Sequence, residues 1–266
     1  MLKNKYYYVF VNLILPNIVC VSFAIIISSI TEITPIKTWI GNIGIDKITF
    51  ISTRTLLSFL FYISFIVIYM TRIQNKDKEL VPSTVYGNIP YVIYSFAAVF
   101  MRIKDINLKL KPIPLQFKIL NNAHLFNIEE IKTIENKDVE YIKSKNKCSS
   151  KVINLVIADT YSFNNMELPN SVKNNLTYII ERKDKTTQRK RYNSKKLIDL
   201  VNDIIEENKN GINEYNLFLF TNPETNKLLY NDVFNTSSDH FKLNLYNFNN
   251  NKRCFSDKPK YTIKNI

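Results

Sequence analysis

Ten residues, RKDKTTQRKR from Arg182 to Arg191, carry six basic groups and one acid. A guanidinium pairs bidentately with phosphate or carboxylate, so such a run can take an anion. Tyr192 follows and offers a ring to stack on. Ser194 then opens KKLIDLVNDIIEEN, whose helical N-terminus would favour the same charge. Two other polar groups end apolar runs. Asp159-Thr160-Tyr161 closes VINLVIA, and Thr221-Asn222 closes YNLFLF. Ligands of open α/β sheets bind outside the carboxyl ends of the strands. If these runs are parallel neighbours, their polar ends share one edge. Asp159, Thr160, Arg189, Arg191, Tyr192 and Thr221 are therefore the expected lining of one anion-accepting pocket. A small nucleotide-like anion is the expected ligand. The plainer alternative is that the strand ends are ordinary turn formers and the basic run is solvated or faces lipid headgroups.

Other chemistry finds little support. The chain holds four glycines, and no G-x-x-x-x-G-K phosphate loop is present. Cys20, Cys148 and Cys254 form no C-x-x-C and suggest no disulfide framework, which suits a reducing compartment. His124 and His240 have no metal-ligand spacing, so neither a metal nor another cofactor is expected. No catalytic constellation is visible. Glu206-Glu207 reads as a solvated helix end.

The elements that position these residues belong to an α/β (or α+β) domain over residues 105–250, with a basic tail at 251–266. Val152 to Ala158 and Leu217 to Phe220 are near-continuous apolar runs, the pattern of strands buried on both faces. Leu176 to Ile180 is a second strand. In the stretch after Ser194, Leu197, Ile198, Val201, Ile204 and Ile205 fall on one helical face. Strand, helix, strand reads as a βαβ unit with parallel strands. Leu108 to Leu120, with Pro112 and Pro114, reads as an edge strand or extended connector. Asn127 to Tyr141 reads as a helix, from Asn127 with Glu130 three residues on and a stripe of Ile128, Ile131 and Ile134. Leu228 to Phe234 and Phe241 to Phe248 read as edge strands.

Ahead of this domain, residues 1–72 read as a hairpin of two transmembrane helices, spanning about 6–30 and 52–71. A helical span takes about 20 apolar residues. Pro16 is tolerated inside the first span, and Asn12 and Asn17 call for a partner helix or a water-filled path. A signal peptide fits less well, because the apolar run is long and SSITEI offers no small-residue cleavage site. Residues 73–104 are a connector. Within it, residues 85–101 read as an interfacial helix from Pro90, the alternative being a third span. Arg72, Lys76, Lys78, Arg102 and Lys104 flank the span ends, which puts both termini on the cytosolic side of an inner (plasma) membrane.

The formal charge is +13, of which +9 lies in residues 102–266. That balance suits polyanionic partners and does not exclude nucleic acid. The expected function is a membrane-anchored sensor and effector that assembles with further copies of itself. Its cytosolic domain would bind the anion and act on the hairpin. In layout this is similar to bacterial defence effectors with paired membrane helices and a nucleotide-sensing domain, although no motif establishes kinship. The alternatives are a structural subunit of a membrane complex, or a tethered metal-dependent hydrolase or nuclease using Asp159.

Overall fold

The computed structural model describes residues 4–30, 53–69, 79–129, 135–136, 139–146, 148, 150–184, 192–209, 211–236 and 241–263. The chain divides into two compact units, Met1–Ile106 and Asn107–Ile266.

The first unit is helical. Helix α1 runs through Lys5–Val9, a π-helical stretch at Phe10–Ile14, and Leu15–Ile30. Its segment Lys5–Ile26 is long and apolar enough to cross a membrane. Helix α2 is Thr53–Ile68 and packs on α1, with Phe23 and Phe65 ring centroids 5.8 Å apart. The two asparagines of α1 find partners. Asn12 donates to the Leu80 carbonyl at 3.0 Å, and Asn17 accepts from the Tyr62 hydroxyl of α2 at 2.6 Å. The second contact is a polar tie between two apolar helices, where an unsatisfied amide would be costly. Helix α3 is Tyr91–Phe100. At ten residues it is about 15 Å long, half of a bilayer's hydrocarbon thickness.

The second unit is built on a six-stranded sheet. In chain order its strands are β1 (Tyr141–Lys145), β2 (Val152–Ala158), β3 (Leu176–Arg182), β4 (Glu214–Phe220), β5 (Lys242–Leu245) and β6 (Tyr261–Ile263). Across the sheet they lie as β6-β5-β4-β2-β3-β1. The four central strands are parallel, and β1 and β6 are antiparallel edges. The two apolar runs are thus parallel neighbours, with Ala158 beside Phe220. Helix α4 (Ile113–Leu120) precedes the sheet, and α5 (Lys195–Asn208) links β3 to β4. On α5 the buried residues are Leu197, Ile198, Val201, Ile204 and Ile205, as its periodicity predicts. The short helix α6 (Pro223–Leu228) follows β4 and continues as a π-helical stretch, Leu229–Phe234.

One face of the sheet carries an aromatic cluster, in which Phe218 stacks on Tyr246 at 4.6 Å and meets Phe255 edge-on at 5.0 Å. The same face carries a polar row through the apolar run. Thr262, Asn244, Asn216, Asn154 and Thr177 are register partners on five adjacent strands. Thr262 donates to Asn244 at 3.0 Å, Asn244 to Asn216 at 2.9 Å, Asn216 to Asn154 at 2.9 Å, and Asn154 to Thr177 at 3.0 Å. The Thr177 hydroxyl ends the row on the Asn175 carbonyl at 3.1 Å. Slipping any strand by one residue would turn its member to the other face, so the row fixes register.

Four expectations fail. Residues 113–120 are helical because Pro114 falls in the first turn, where its missing N–H costs nothing. Asn127 to Tyr141 is not one helix. Its described parts hold two-residue strands at Asn127–Ile128 and Glu135–Asn136, and Tyr141 begins β1. Leu229–Phe234 is helical, not a strand, and buries Leu229, Tyr230, Val233 and Phe234. The supposed tail adds a strand at Cys254–Phe255 and the sheet edge β6, where Ile263 is buried.

Candidate functional site

The connection after β2 leads to β3 on one side, and the connection after β4 leads to β5 on the other. The direction of winding therefore reverses between β2 and β4, which makes their carboxyl ends the topological switch point of the sheet. Thr160 and Thr221 sit there. The Thr160 amide and hydroxyl both donate to the Phe220 carbonyl, each at 2.8 Å, which closes β2 onto β4. The Thr221 hydroxyl donates to Asn226 of α6, and Asn226 donates to Gln116 of α4 at 2.8 Å.

Beside the switch point lies a buried ion pair. Asp159 follows β2 and Arg182 ends β3, and both side chains are fully buried. Register brings them together. Ala158 pairs with Glu181, so the next residues on each strand are neighbours on the face opposite the asparagine row. Arg182 Nη2 donates to Asp159 Oδ1 at 2.6 Å, and Nε donates to the same oxygen at 3.2 Å. Tyr141 is the register partner of Arg182 on β1, and its hydroxyl donates to Oδ1 at 2.7 Å. Burial and then the Asp159 charge raise the Tyr141 phenol pKa well above its usual value, so it remains a donor at physiological pH. Burial also raises the Asp159 carboxyl pKa, against the pull of the Tyr141 and Arg182 hydrogen bonds. Among the described residues Asp159 Oδ2 has no hydrogen-bond partner.

This cluster meets both ends of the basic run. Arg182 is its first residue, and Tyr192 follows its last. The Arg182 guanidinium lies 5.4 Å from the centroid of the Tyr192 ring, a cation–π contact that closes the two ends on each other. Asn222, after β4, donates to the Tyr192 carbonyl at 3.1 Å. One end of the loop is thereby tied to β2 and the other to β4. Lys183, the next residue out, pairs with Glu140 at 2.9 Å on the open surface, where such pairs contribute little. A depression of ≈ 540 Å³ between β1 and α5 opens near Tyr141. It mixes Glu140, Asp199 and Asp203 with Lys183 and Lys196, so its charge does not select an anion.

Of the six residues expected to line one pocket, four are described. Asp159 and Tyr192 meet through Arg182, while Thr160 and Thr221 flank the end of β4. Arg189 and Arg191 lie outside the described residues. Sequence reading missed Arg182 and Tyr141 as the partners of Asp159. The signal for Arg182 was its place in LTYIIER, where alternation carries it to the side of Tyr178 and Ile180. No such signal marked Tyr141, which fell in a stretch read as helix.

These features define an open-sheet α/β domain joined to an apolar helical unit. The chain belongs to the SMODS- and Ubiquitin system-associated 2TM effector domain family (SUa-2TM), whose model matches residues 2–263. It is thus a membrane-associated effector domain. A search of curated proteins finds no match to the sequence. Among solved structures it is similar to the Acinetobacter baumannii Cap4 SAVED/CARF-domain containing receptor with the cyclic trinucleotide 2'3'3'-cAAA. That match has 10% identity and a TM-score of 0.42, over 65% of this chain and 41% of the receptor. With 3'3'3'-cAAA bound, the same receptor matches at 11% identity and a TM-score of 0.42, over 65% and 42%. The chain spans less than half of the length of these receptors.

Proposed function

We propose that the protein is a membrane-anchored sensor and effector. Its α/β domain binds a small nucleotide-like anion at the carboxyl edge of the sheet and acts on the helices of the first unit. In this reading α1 and α2 are the two spans, both termini are cytosolic, the membrane is the bacterial inner membrane, and copies of the chain assemble. The family's 2TM effector description supports the spans and the effector role. The observation that carries the ligand is the basic loop, tied at both ends beside the switch point. Arg189 and Arg191 are the proposed anion contacts. Thr160, Thr221, Asp159 and Tyr192 complete the proposed site. The hydrolase alternative is less well supported, since the Asp159 carboxylate it would use is engaged by Arg182 and Tyr141.

The test measures binding of a cyclic and linear oligonucleotide panel to the full chain in nanodiscs. Arg191→Ala is expected to weaken binding about tenfold or more, as loss of a charge-assisted phosphate contact does. Lys183→Ala, which removes a residue already paired on the surface, is expected to change it little. Equal small effects, or no binding by the unaltered chain, would leave the run as a solvated or lipid-facing loop.

A further inference from the structure

Three side chains run inward from the carboxyl end of β4 in a row whose hydrogen-bond polarity is fixed. The row ends on a backbone carbonyl. Gln116 Nε2 donates to the Lys111 carbonyl at 2.7 Å, and a carbonyl can only accept. The other arm of the Gln116 amide is therefore Oε1, which accepts from Asn226 Nδ2 at 2.8 Å. Asn226 in turn shows its Oδ1 to Thr221, so the Thr221 hydroxyl gives its proton to Asn226. Gln116 and Asn226 are buried, which keeps water from competing for these contacts. Thr160 is fixed in the same sense, since its hydroxyl donates to the Phe220 carbonyl. Asn222 donates through Nδ2 to the Tyr192 carbonyl and to Thr225 Oγ1. The half-buried Thr221 thus offers a ligand an oxygen lone pair and no proton. A phosphate oxygen is itself an acceptor and gains nothing from such a group. A hydrogen-bond donor does.

We infer that Thr221 reads an N–H group on a nucleobase and leaves the phosphates to the basic loop. The inference rests on the proposed nucleotide-like ligand and deepens it, by dividing the site into a donor-reading edge and an anion-holding loop. Tyr161 selects the base over the ribose as the source of the donor. It follows Thr160 in the chain, is 62% exposed, and carries a ring of the kind on which bases stack. Gln116 and Asn226 are positioning residues, which act by holding the Thr221 hydroxyl in its accepting sense. An edge of this polarity discriminates well, because a ligand without the donor leaves the threonine oxygen unpaired.

The test uses the full chain in nanodiscs, with cyclic oligonucleotides that share one sugar-phosphate backbone and carry adenine, guanine, cytosine, uracil or no base. The quantity read is the ratio of the affinities for the best-bound base and for the abasic compound. Thr221→Val keeps the shape and removes the lone pairs, and is expected to lower this ratio about tenfold. Thr221→Ser is expected to restore it. Thr221→Ala takes the place of the valine variant should that one fail to fold. Arg191→Ala is expected to weaken both compounds by the same factor, which leaves the ratio as it was. A ratio unchanged by Thr221→Val, with or without equal weakening of both compounds, would overturn the inference alone when Arg191→Ala still weakens binding. No binding of any of these compounds by the unaltered chain would overturn the anion-binding reading, and the inference with it.

Discussion

With Asp159 replaced by Ala, the α/β domain is expected to lose about 3–5 kcal/mol of stability. The change leaves Arg182 fully buried without its counter-charge, and strips Tyr141 of its acceptor. Denaturant unfolding of the full chain in detergent, with hydrogen exchange followed on β2 and β3, would measure the loss. Tyr141→Phe removes one hydrogen bond to a charged acceptor and is expected to cost about 1.5–3 kcal/mol. The pair Asp159→Leu with Arg182→Met should recover much of the loss, because a buried ion pair replaced by apolar side chains of similar volume is often neutral in stability. A loss below about 1 kcal/mol in Asp159→Ala would mean that water reaches Arg182, against its full burial. Acid should not unfold the domain through this carboxylate. Its pKa is raised in the folded state, so its own contribution to stability is fully present below the unfolded value and is lost as pH rises through the folded one.

Asn216→Leu is expected to cost about 2–4 kcal/mol. Asn216 stands at the centre of the polar row, donating to Asn154 and accepting from Asn244. An apolar side chain there deprives the fully buried Asn154 of its nearer donor and leaves its Oδ1 the longer contact from Asn175 at 3.4 Å. Thr262→Val, at the half-buried end of the row, should cost about 1 kcal/mol or less. The same unfolding measurement reads both variants. Equal losses at centre and end would show that the row acts as separate pairs and not as a connected chain.

The central strands were legible because burial on both faces leaves near-continuous apolar runs, as in Val152–Ala158 and Glu214–Phe220. Helix α5 was legible because one buried face leaves a 3.6-residue period. The polar edge at Asp159-Thr160 and Thr221 was legible as a position, since strand ends must turn. Its wiring was not. Asn154, Asn216 and Asn244 are far apart in the chain and are joined only by register, which no single strand reveals. Arg182 looked like one member of a basic run, yet alternation along β3 turns it inward onto Asp159. Tyr141 was hidden by Ile128, Ile131 and Ile134, whose spacing imitates a helical stripe. Pro112 and Pro114 suggested an extended segment, whereas α4 begins there, with Pro114 in its first turn.

The closure of Arg182 on Tyr192 separates two tasks within one chain. Whatever lies between these residues can change in length or composition while its endpoints stay where Asp159 and Asn222 hold them. Lengthening such a closed segment costs little, since closure entropy grows only slowly with its size. The segment is in effect an exchangeable cartridge. On the proposed function, rewriting residues 183–191 would alter the anion preference and leave the sheet alone.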